Sequence, residues 1–228
     1  MNNNINPRIL NKVRDQVRKE VSLLRATRNS DELDLTGNNW ENIISKALKG
    51  ERLGYNNIGD IKITNDDDDD ESSYYVEAKT KLSKHPATQK NILTVFGRFP
   101  VVMGNSAAAI ARRLVDQFNE RIKDNTHCFF LLRNKELSRF KIVVFEITKL
   151  CFDDYEWSLT KVKNSNFHVV LYGKKSGESQ HSVSWSSKGS HLSLRINFEE
   201  QKNKKELTFR VNKPRMINME VLYRMIEC

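Results

Sequence analysis

The residues of this chain best suited to chemistry are an aspartate and a Glu-x-Lys tripeptide, on two apolar segments either side of an acidic run. Asp60 lies in GDIKI, Glu77 and Lys79 lie in YYVEAKTKL, and six consecutive acids occupy 66–71. In a β-strand, side chains alternate between faces, so Tyr75, Glu77 and Lys79 would share one face. Two carboxylates that converge from neighbouring strands supply the hard oxygen ligands that Mg²⁺ prefers. The spacing therefore predicts a magnesium site with a lysine beside it.

These groups together are suited to the hydrolysis of phosphodiester bonds. A Mg²⁺ ion against a phosphate oxygen can offset the charge of a pentavalent transition state and lower the pKa of a bound water. A lysine two residues after the glutamate reaches the same site, where it can orient or help deprotonate that water and stabilise the transition state. A surface hairpin with an exposed Glu–Lys pair would give the same pattern.

The acid-x-Lys pattern alone is weak evidence, because the chain contains it three times. One match lies in the polar loop EEQKNKKE, whereas the matches at Asp60 and Lys62 and at Glu77 and Lys79 lie in apolar segments. Lys79 lies on the more apolar of the two strands, and its Glu77 has an acidic partner, Asp60, 17 residues upstream on the neighbouring predicted strand. We therefore predict that Lys79, rather than Lys62, is the catalytic lysine.

Hydrophobic periodicity predicts helices in the first half of the chain and mostly strands in the second. The helices are predicted to begin at Pro7, near Asn39 and after the N-cap residue Ser106. The predicted strands are 59–64, 74–82, CFFLLRN, FKIVVFEIT, FHVVLY, HSVSWSS, SHLSLRINF and ELTFRVN. A short final helix is predicted in INMEVLYRMIE, and a solvated loop at 66–71, where like charges repel one another. This order predicts one α/β (α+β) domain over 1–228.

GDIKI followed by YYVEAK resembles the PD-(D/E)xK signature of type II restriction endonucleases, with Gly59-Asp60 where Pro-Asp is commonest. The predicted order of elements also resembles the αβββαβ core of that superfamily, a mixed β-sheet with flanking helices. The resemblance covers about 39–148 and leaves 149–228 as a β-rich part for DNA recognition. It implies Mg²⁺-dependent cleavage of double-stranded DNA at a specific, palindromic site.

The resemblance also implies roles for individual residues. The implied metal ligands are Asp60, Glu77 and Ala78, the last through its main-chain carbonyl. Lys79 is the implied catalytic lysine. Several members of the superfamily add an acid from the preceding helix, and here Glu41 is the candidate, with Glu51 as the alternative.

The charge balance favours DNA as the partner. Lys and Arg number 38 against 29 Asp and Glu, which gives a net charge of +9, and a basic surface attracts polyanions. The segment 181–196 alternates apolar and polar residues around SSKGS and fits a DNA groove as a β-ribbon, although a solvated hairpin turn fits it equally. Cleavage of two strands needs two active sites and so predicts a homodimer. The candidate DNA contacts are Arg112, Arg113, Ser187, Lys188, Ser190 and His191.

Other functional classes find little support. The five histidines show no zinc or HNH arrangement, and no Gly-rich phosphate loop suggests a nucleotide cofactor. Three scattered cysteines form no Cys-x-x-Cys pair and favour a reducing cytoplasm; Cys128 and Cys151 are predicted core residues. The longest apolar runs are too short to span a membrane. A non-catalytic DNA-binding protein on a nuclease-like fold is the alternative function.

Overall fold

A computed structural model of the chain describes residues 7–27, 35–53, 59–64, 73–101, 104, 106–163 and 168–212. These residues form three α-helices and two β-sheets. The helices are α1 (Pro7–Thr27), α2 (Gly37–Leu48) and α3 (Ala107–Arg121). The strands are β1 (Glu51–Arg52), β2 (Ile61–Thr64), β3 (Ser73–Leu82), β4 (Asn91–Arg98), β5 (Thr126–Arg133), β6 (Arg139–Glu146), β7 (Tyr155–Lys161), β8 (Val169–Lys175), β9 (Val183–Ser186), β10 (His191–Asn197) and β11 (Lys205–Arg210). The predicted acidic loop at 66–71 and the predicted final helix at 217–227 lie outside the described residues.

The first sheet has the strand order β1-β2-β3-β5-β6-β11. Strands β3 and β5 are parallel, because the crossover that contains α3 connects them, and the other neighbours are antiparallel. Along the chain, α2, β1, β2, β3, α3 and β5 occur in the order helix, three strands, helix and strand, with β4, which is not part of this sheet, between β3 and α3. The predicted α/β class with an αβββαβ core is confirmed.

The second sheet is antiparallel and has the order β4-β10-β9-β8-β7. Its edge strand β4 lies within the crossover between β3 and α3. Neither β4 nor β7 was predicted from the sequence. Conversely, β11, from the end of the described chain, pairs with β6 at the edge of the first sheet. Both halves of the sequence therefore contribute to both sheets.

The first sheet is covered on both faces. Helices α1 and α2 pack on one face through a cluster that includes Val13, Val17 and Ile44, and α3 with the second sheet packs on the other through a cluster that includes Phe118 and Trp185. Strand β5 is buried from Thr126 to Leu132, which explains its continuous apolar sequence. One face of β3 therefore points towards the second sheet.

The predictions for Ser106 and for the two cysteines Cys128 and Cys151 have different outcomes. Ser106 is the N-cap of α3, and its hydroxyl accepts a 3.2 Å hydrogen bond from the main-chain N–H of Ala109, as predicted. Cys128 is buried, whereas Cys151 is exposed and lies before β7 rather than in a strand, so its predicted core position was wrong. None of the helices in the described ranges is long and apolar enough to cross a membrane.

Candidate active site

Antiparallel pairing of β2 with β3 brings Asp60 next to the Glu-x-Lys tripeptide. Ile61 lies opposite Val76, and continuing this register by one residue places Asp60 opposite Glu77. The main-chain N–H of Ala78 donates a 2.9 Å hydrogen bond to Oδ2 of Asp60. The aspartate is thereby fixed to β3 at the residue between Glu77 and its lysine.

Glu77 is held from two sides in a buried position, with 3% of its side chain exposed. Its Oε1 forms an ion pair with Nζ of Lys79, and its Oε2 accepts a 2.8 Å hydrogen bond from the main-chain N–H of Gly59. Gly59 has a φ of +117°, and a Cβ at this position would lie 3.1 Å from Cβ of Tyr75. Glycine therefore suits this position through its backbone conformation and its lack of a side chain.

Burial and the neighbouring charges shift the pKa values of both Glu77 and Lys79. Burial raises the pKa of Glu77, and the nearby charge of Asp60 adds to this, while Lys79 and the Gly59 N–H act in the opposite direction. Burial alone would lower the pKa of Lys79, but Glu77 and Asp60 together raise it above its ordinary value. Lys79 is therefore an ammonium at neutral pH, which suits it to supplying positive charge and hydrogen bonds.

The surroundings of the site include two side chains that the sequence analysis missed. The ring centroid of Phe96, in β4, lies 5.7 Å from Nζ of Lys79. Nζ of Lys123 lies 4.3 Å from the ring centroid of Tyr75, which precedes Glu77 by two residues on the same face of β3. No local sequence signal links either side chain to β3, because both contacts depend on the tertiary fold.

The arrangement fits a magnesium ion through its donor types. Asp60 and Glu77 are carboxylates on opposed positions, and the main-chain carbonyl of Ala78 lies between Glu77 and Lys79. In the described part of the chain, the Asp60 carboxylate has no hydrogen bond besides that to Ala78, which leaves Oδ1 available. Among the described residues, no group of three or more His, Cys, Asp and Glu side chains is placed to hold a metal. Because Mg²⁺ commonly takes one or two carboxylates and completes its shell with water and substrate oxygens, Asp60 and Glu77 are of the donor type that it requires.

Neither candidate for a third acid joins Asp60 and Glu77 in such a group. Glu41, in α2, forms an ion pair with Arg52 of β1. Arg52 lies opposite Ile61, whose side chain is buried in the cluster beneath the helices, so Glu41 is on the helix-covered side of the sheet. Glu51 lies opposite Lys62 and, by alternation, belongs to the other face.

The turn between β9 and β10 carries three of the predicted DNA contacts. Ser187 is bound to β8, since its hydroxyl accepts a 3.0 Å hydrogen bond from the main-chain N–H of Val169. The carbonyl of Ser190 accepts a 2.7 Å hydrogen bond from the N–H of Phe99. Lys188 is exposed at the tip of the turn. Lys188 is thus the exposed residue of the three, whereas the two serines help to hold the turn in place.

The remaining predicted contacts lie at the start of β10 and on α3. Nε of Arg98 lies 3.3 Å from Nε2 of His191, so the structure adds an arginine that the sequence analysis did not single out. Arg112 and Arg113 are exposed on α3, and the guanidinium of Arg112 lies 4.1 Å from the ring centroid of Phe152. Arg98 lies two residues after Phe96, the residue that contacts Lys79, so the Arg98–His191 pair is close in sequence to the cluster. Arg112 instead contacts the segment that precedes β7.

No protein-family model matches the chain, and no curated protein matches it. Among solved structures, the chain is similar to the crystal structure of the tetrameric restriction endonuclease SfiI bound to cognate DNA. The TM-score is 0.38 and the sequence identity 15%, over 90% of this chain and 82% of that chain. The geometry of Asp60, Glu77 and Lys79, rather than this similarity, supports the function proposed below.

Proposed function

We propose that the protein is a Mg²⁺-dependent endonuclease that hydrolyses phosphodiester bonds in double-stranded DNA at a specific, palindromic site. The observation that carries this proposal is the cluster in which the half-buried Asp60 lies opposite the buried Glu77 across paired strands and Lys79 forms an ion pair with Glu77. Two carboxylates and a lysine on one hairpin are the groups that metal-assisted phosphodiester hydrolysis needs. The net charge of +9 supports a polyanionic substrate.

Each group of the cluster has a proposed role. Asp60, Glu77 and the carbonyl of Ala78 would hold Mg²⁺, which supplies Lewis-acid stabilisation of the charge that develops on phosphate. The Lys79 ammonium would donate hydrogen bonds to the attacking water and offset negative charge in the transition state. The N–H groups of Gly59 and Ala78 fix one oxygen of each carboxylate, so the ligands are oriented before the substrate arrives.

The proposed partner surface includes the β9–β10 turn. Lys188 is placed to contact a phosphate, and the Arg98–His191 pair offers hydrogen-bond donors that can contact phosphates or base edges. Since the cluster serves one strand at a time, we propose a homodimer whose two sites cut the two strands of a symmetric sequence.

A plasmid assay tests the proposal. Supercoiled plasmid should yield discrete fragments with Mg²⁺ and remain intact with EDTA. Lys202→Ala is a control variant, because it removes a lysine from the acid-x-Lys match that lies outside the cluster and should cut like the parent. A protein that binds DNA but cuts none with Mg²⁺ or any other divalent metal would contradict the proposal, and would favour a non-catalytic DNA-binding protein on the same fold.

A further inference from the structure

We propose that Phe96, in the second sheet, is a positioning residue for Lys79 in the first sheet. The ring would hold the ammonium beside Glu77, so that the second sheet belongs to the catalytic machinery as well as to the proposed DNA-contact surface. The inference rests on the proposed function of Lys79, but the contact itself can be tested without cleavage.

The contact has the geometry of a cation–π interaction. Nζ of Lys79 lies 5.7 Å from the centroid of the Phe96 ring, inside the distance of about 6 Å at which such contacts act. Phe96 is 4% exposed, and its ring packs edge-on against Phe118, with centroids 6.2 Å apart and planes at 75°. The Lys79 side chain is only 20% exposed. The ammonium therefore lies in a partly dehydrated space between the Glu77 carboxylate and an aromatic ring.

A β-bulge aims the ring at this space. In the pairing of β4 with β10, Gly97 lies opposite Leu192 and Val95 lies opposite Ser193, which leaves Phe96 without a partner. Gly97 has a φ of +134°, a conformation that favours glycine. Bulges re-aim side chains and are common beside active sites. The irregularity of β4 thus coincides with the residue that contacts Lys79.

A second contact joins the same two strands. Nζ of Lys81, two residues after Lys79 on β3, donates a 2.7 Å hydrogen bond to the carbonyl of Leu93 on β4. Lysines at alternate positions of β3 thus contact residues of β4 that are three positions apart. Strand β4 therefore contacts both of these lysine side chains of β3, beside the ion pair that Lys79 forms with Glu77.

The bulge also lies close to the β9–β10 turn. His191, the first residue of β10, pairs with Arg98, and the bulge follows within two residues of this pair. DNA that contacts the turn at Lys188 would act on β10 and, through it, on Phe96. The arrangement offers a short connection between DNA contact and the position of the catalytic lysine.

The test compares two buried phenylalanines of one cluster. Phe96→Leu removes the ring over Lys79 and Phe96→Tyr keeps one, while Phe118→Leu is the matched control, because it removes the neighbouring ring. One readout is the NMR signal of the Lys79 side-chain ε-methylene, assigned by its loss in Lys79→Arg. The other is the single-turnover cleavage rate at saturating DNA, together with the DNA dissociation constant.

The proposal predicts that the Lys79 signal shifts far more in Phe96→Leu than in Phe118→Leu. The cleavage rate should fall about tenfold in Phe96→Leu, as expected for the loss of one partly buried cation–π contact, with DNA binding unchanged and Phe96→Tyr near the parent. Equal rates in Phe96→Leu and Phe118→Leu, or failure of Phe96→Tyr to retain activity, would overturn the positioning role. If the parent cuts no DNA, the proposed function fails, and a Lys79 signal that responds only to Phe96 would still support the contact.

Discussion

Oδ2 of Asp60 accepts a 2.9 Å hydrogen bond from the main-chain N–H of Ala78, the residue that separates Glu77 from Lys79. Because the donor is a backbone group, the position of the aspartate depends on the path of β3 and little on the side chain at position 78. The same strand therefore carries the glutamate and the lysine and fixes the second carboxylate. The relative positions of the three groups follow from the pairing of two strands.

Lys79→Ala is expected to lower the cleavage rate by at least about a hundredfold while DNA binding is retained. The substitution removes a cation beside the reacting phosphate and so costs mainly transition-state stabilisation. Lys62→Ala is the matched control, because Lys62 follows Asp60 by two residues as Lys79 follows Glu77, and it should cut at a rate near the parent's. Single-turnover rates and DNA dissociation constants measure both effects. If Lys79→Ala were active and Lys62→Ala inactive, the active site would have to be assigned to β2.

Glu77→Gln is expected to remove the loss of stability that ionisation of Glu77 causes in the metal-free protein as the pH rises. Burial raises the pKa of Glu77, so folding disfavours its ionised form, whereas glutamine is neutral at every pH. The stability associated with a raised pKa is fully present below the unfolded-state value, about 4.3, and is lost as the pH rises through the folded-state value. In urea unfolding with EDTA, the free energy of unfolding of the variant should therefore rise relative to that of the parent as the pH rises from about 4.

Glu206→Gln is a control, because the pKa of Glu206 is lowered whereas that of Glu77 is raised. Partial burial would raise the pKa of Glu206, but Lys141 and Lys204 outweigh it and lower the pKa; their Nζ atoms lie 3.2 and 3.4 Å from its Oε2. The stability from a lowered pKa is present above the unfolded-state value and lost as the pH falls through the folded-state value. Glu206→Gln should therefore destabilise the protein at pH 7. If the stability of both variants changed with pH in the same direction relative to the parent, the environment assigned to Glu77 would be contradicted.

Gly59→Ala is expected to impair cleavage and stability together. The φ of +117° disfavours any side chain, a Cβ would press on Tyr75, and a shift of this backbone moves the N–H that holds Glu77. The conformational cost is about 1–3 kcal/mol. Gly59→Pro, which introduces the residue commonest before the aspartate in the PD-(D/E)xK signature, should be worse, because proline lacks the N–H and fixes φ near −65°.

Gly177→Ala separates backbone strain from the effect on the site. Gly177 has a φ of +80°, and a Cβ there would meet nothing within 4 Å. It should lose stability in urea unfolding and cut at a rate near the parent's. Equal loss of cleavage in Gly59→Ala and Gly177→Ala would show that the hydrogen bond from Gly59 has no specific role.

The proposed catalytic cluster could be predicted because its determinants are local. Alternation along YYVEAK gives the shared face of Glu77 and Lys79, and the two apolar segments joined by a short connection give the antiparallel pairing with Asp60. The capping of α3 by Ser106 was equally local. The pairing of β2 with β3 and the class of the fold could therefore be predicted from the sequence.

The rest depends on contacts between residues distant in sequence. NILTVFGR has residues suited to a strand, but no local feature places β4 in a second sheet or aims Phe96 at Lys79. The ion pair of Glu41 with Arg52 likewise depends on how α2 packs against β1, and periodicity does not encode it. The proposed reacting groups could be predicted from the sequence, while the side chains that surround them required the tertiary structure.

The insertion of β4 into the crossover has a consequence for the order of folding. Among the described residues, strand β4 pairs only with β10, about 100 residues later in the chain, so this contact forms after a costly loop closure. During synthesis Asp60, Glu77 and Lys79 leave the ribosome long before β10, and until then β4 cannot form its pairing with β10. We therefore expect a nascent chain to contain all the proposed reacting groups while lacking the strand that fixes Phe96. Cleavage competence would be acquired late, once residue 197 has been made and paired.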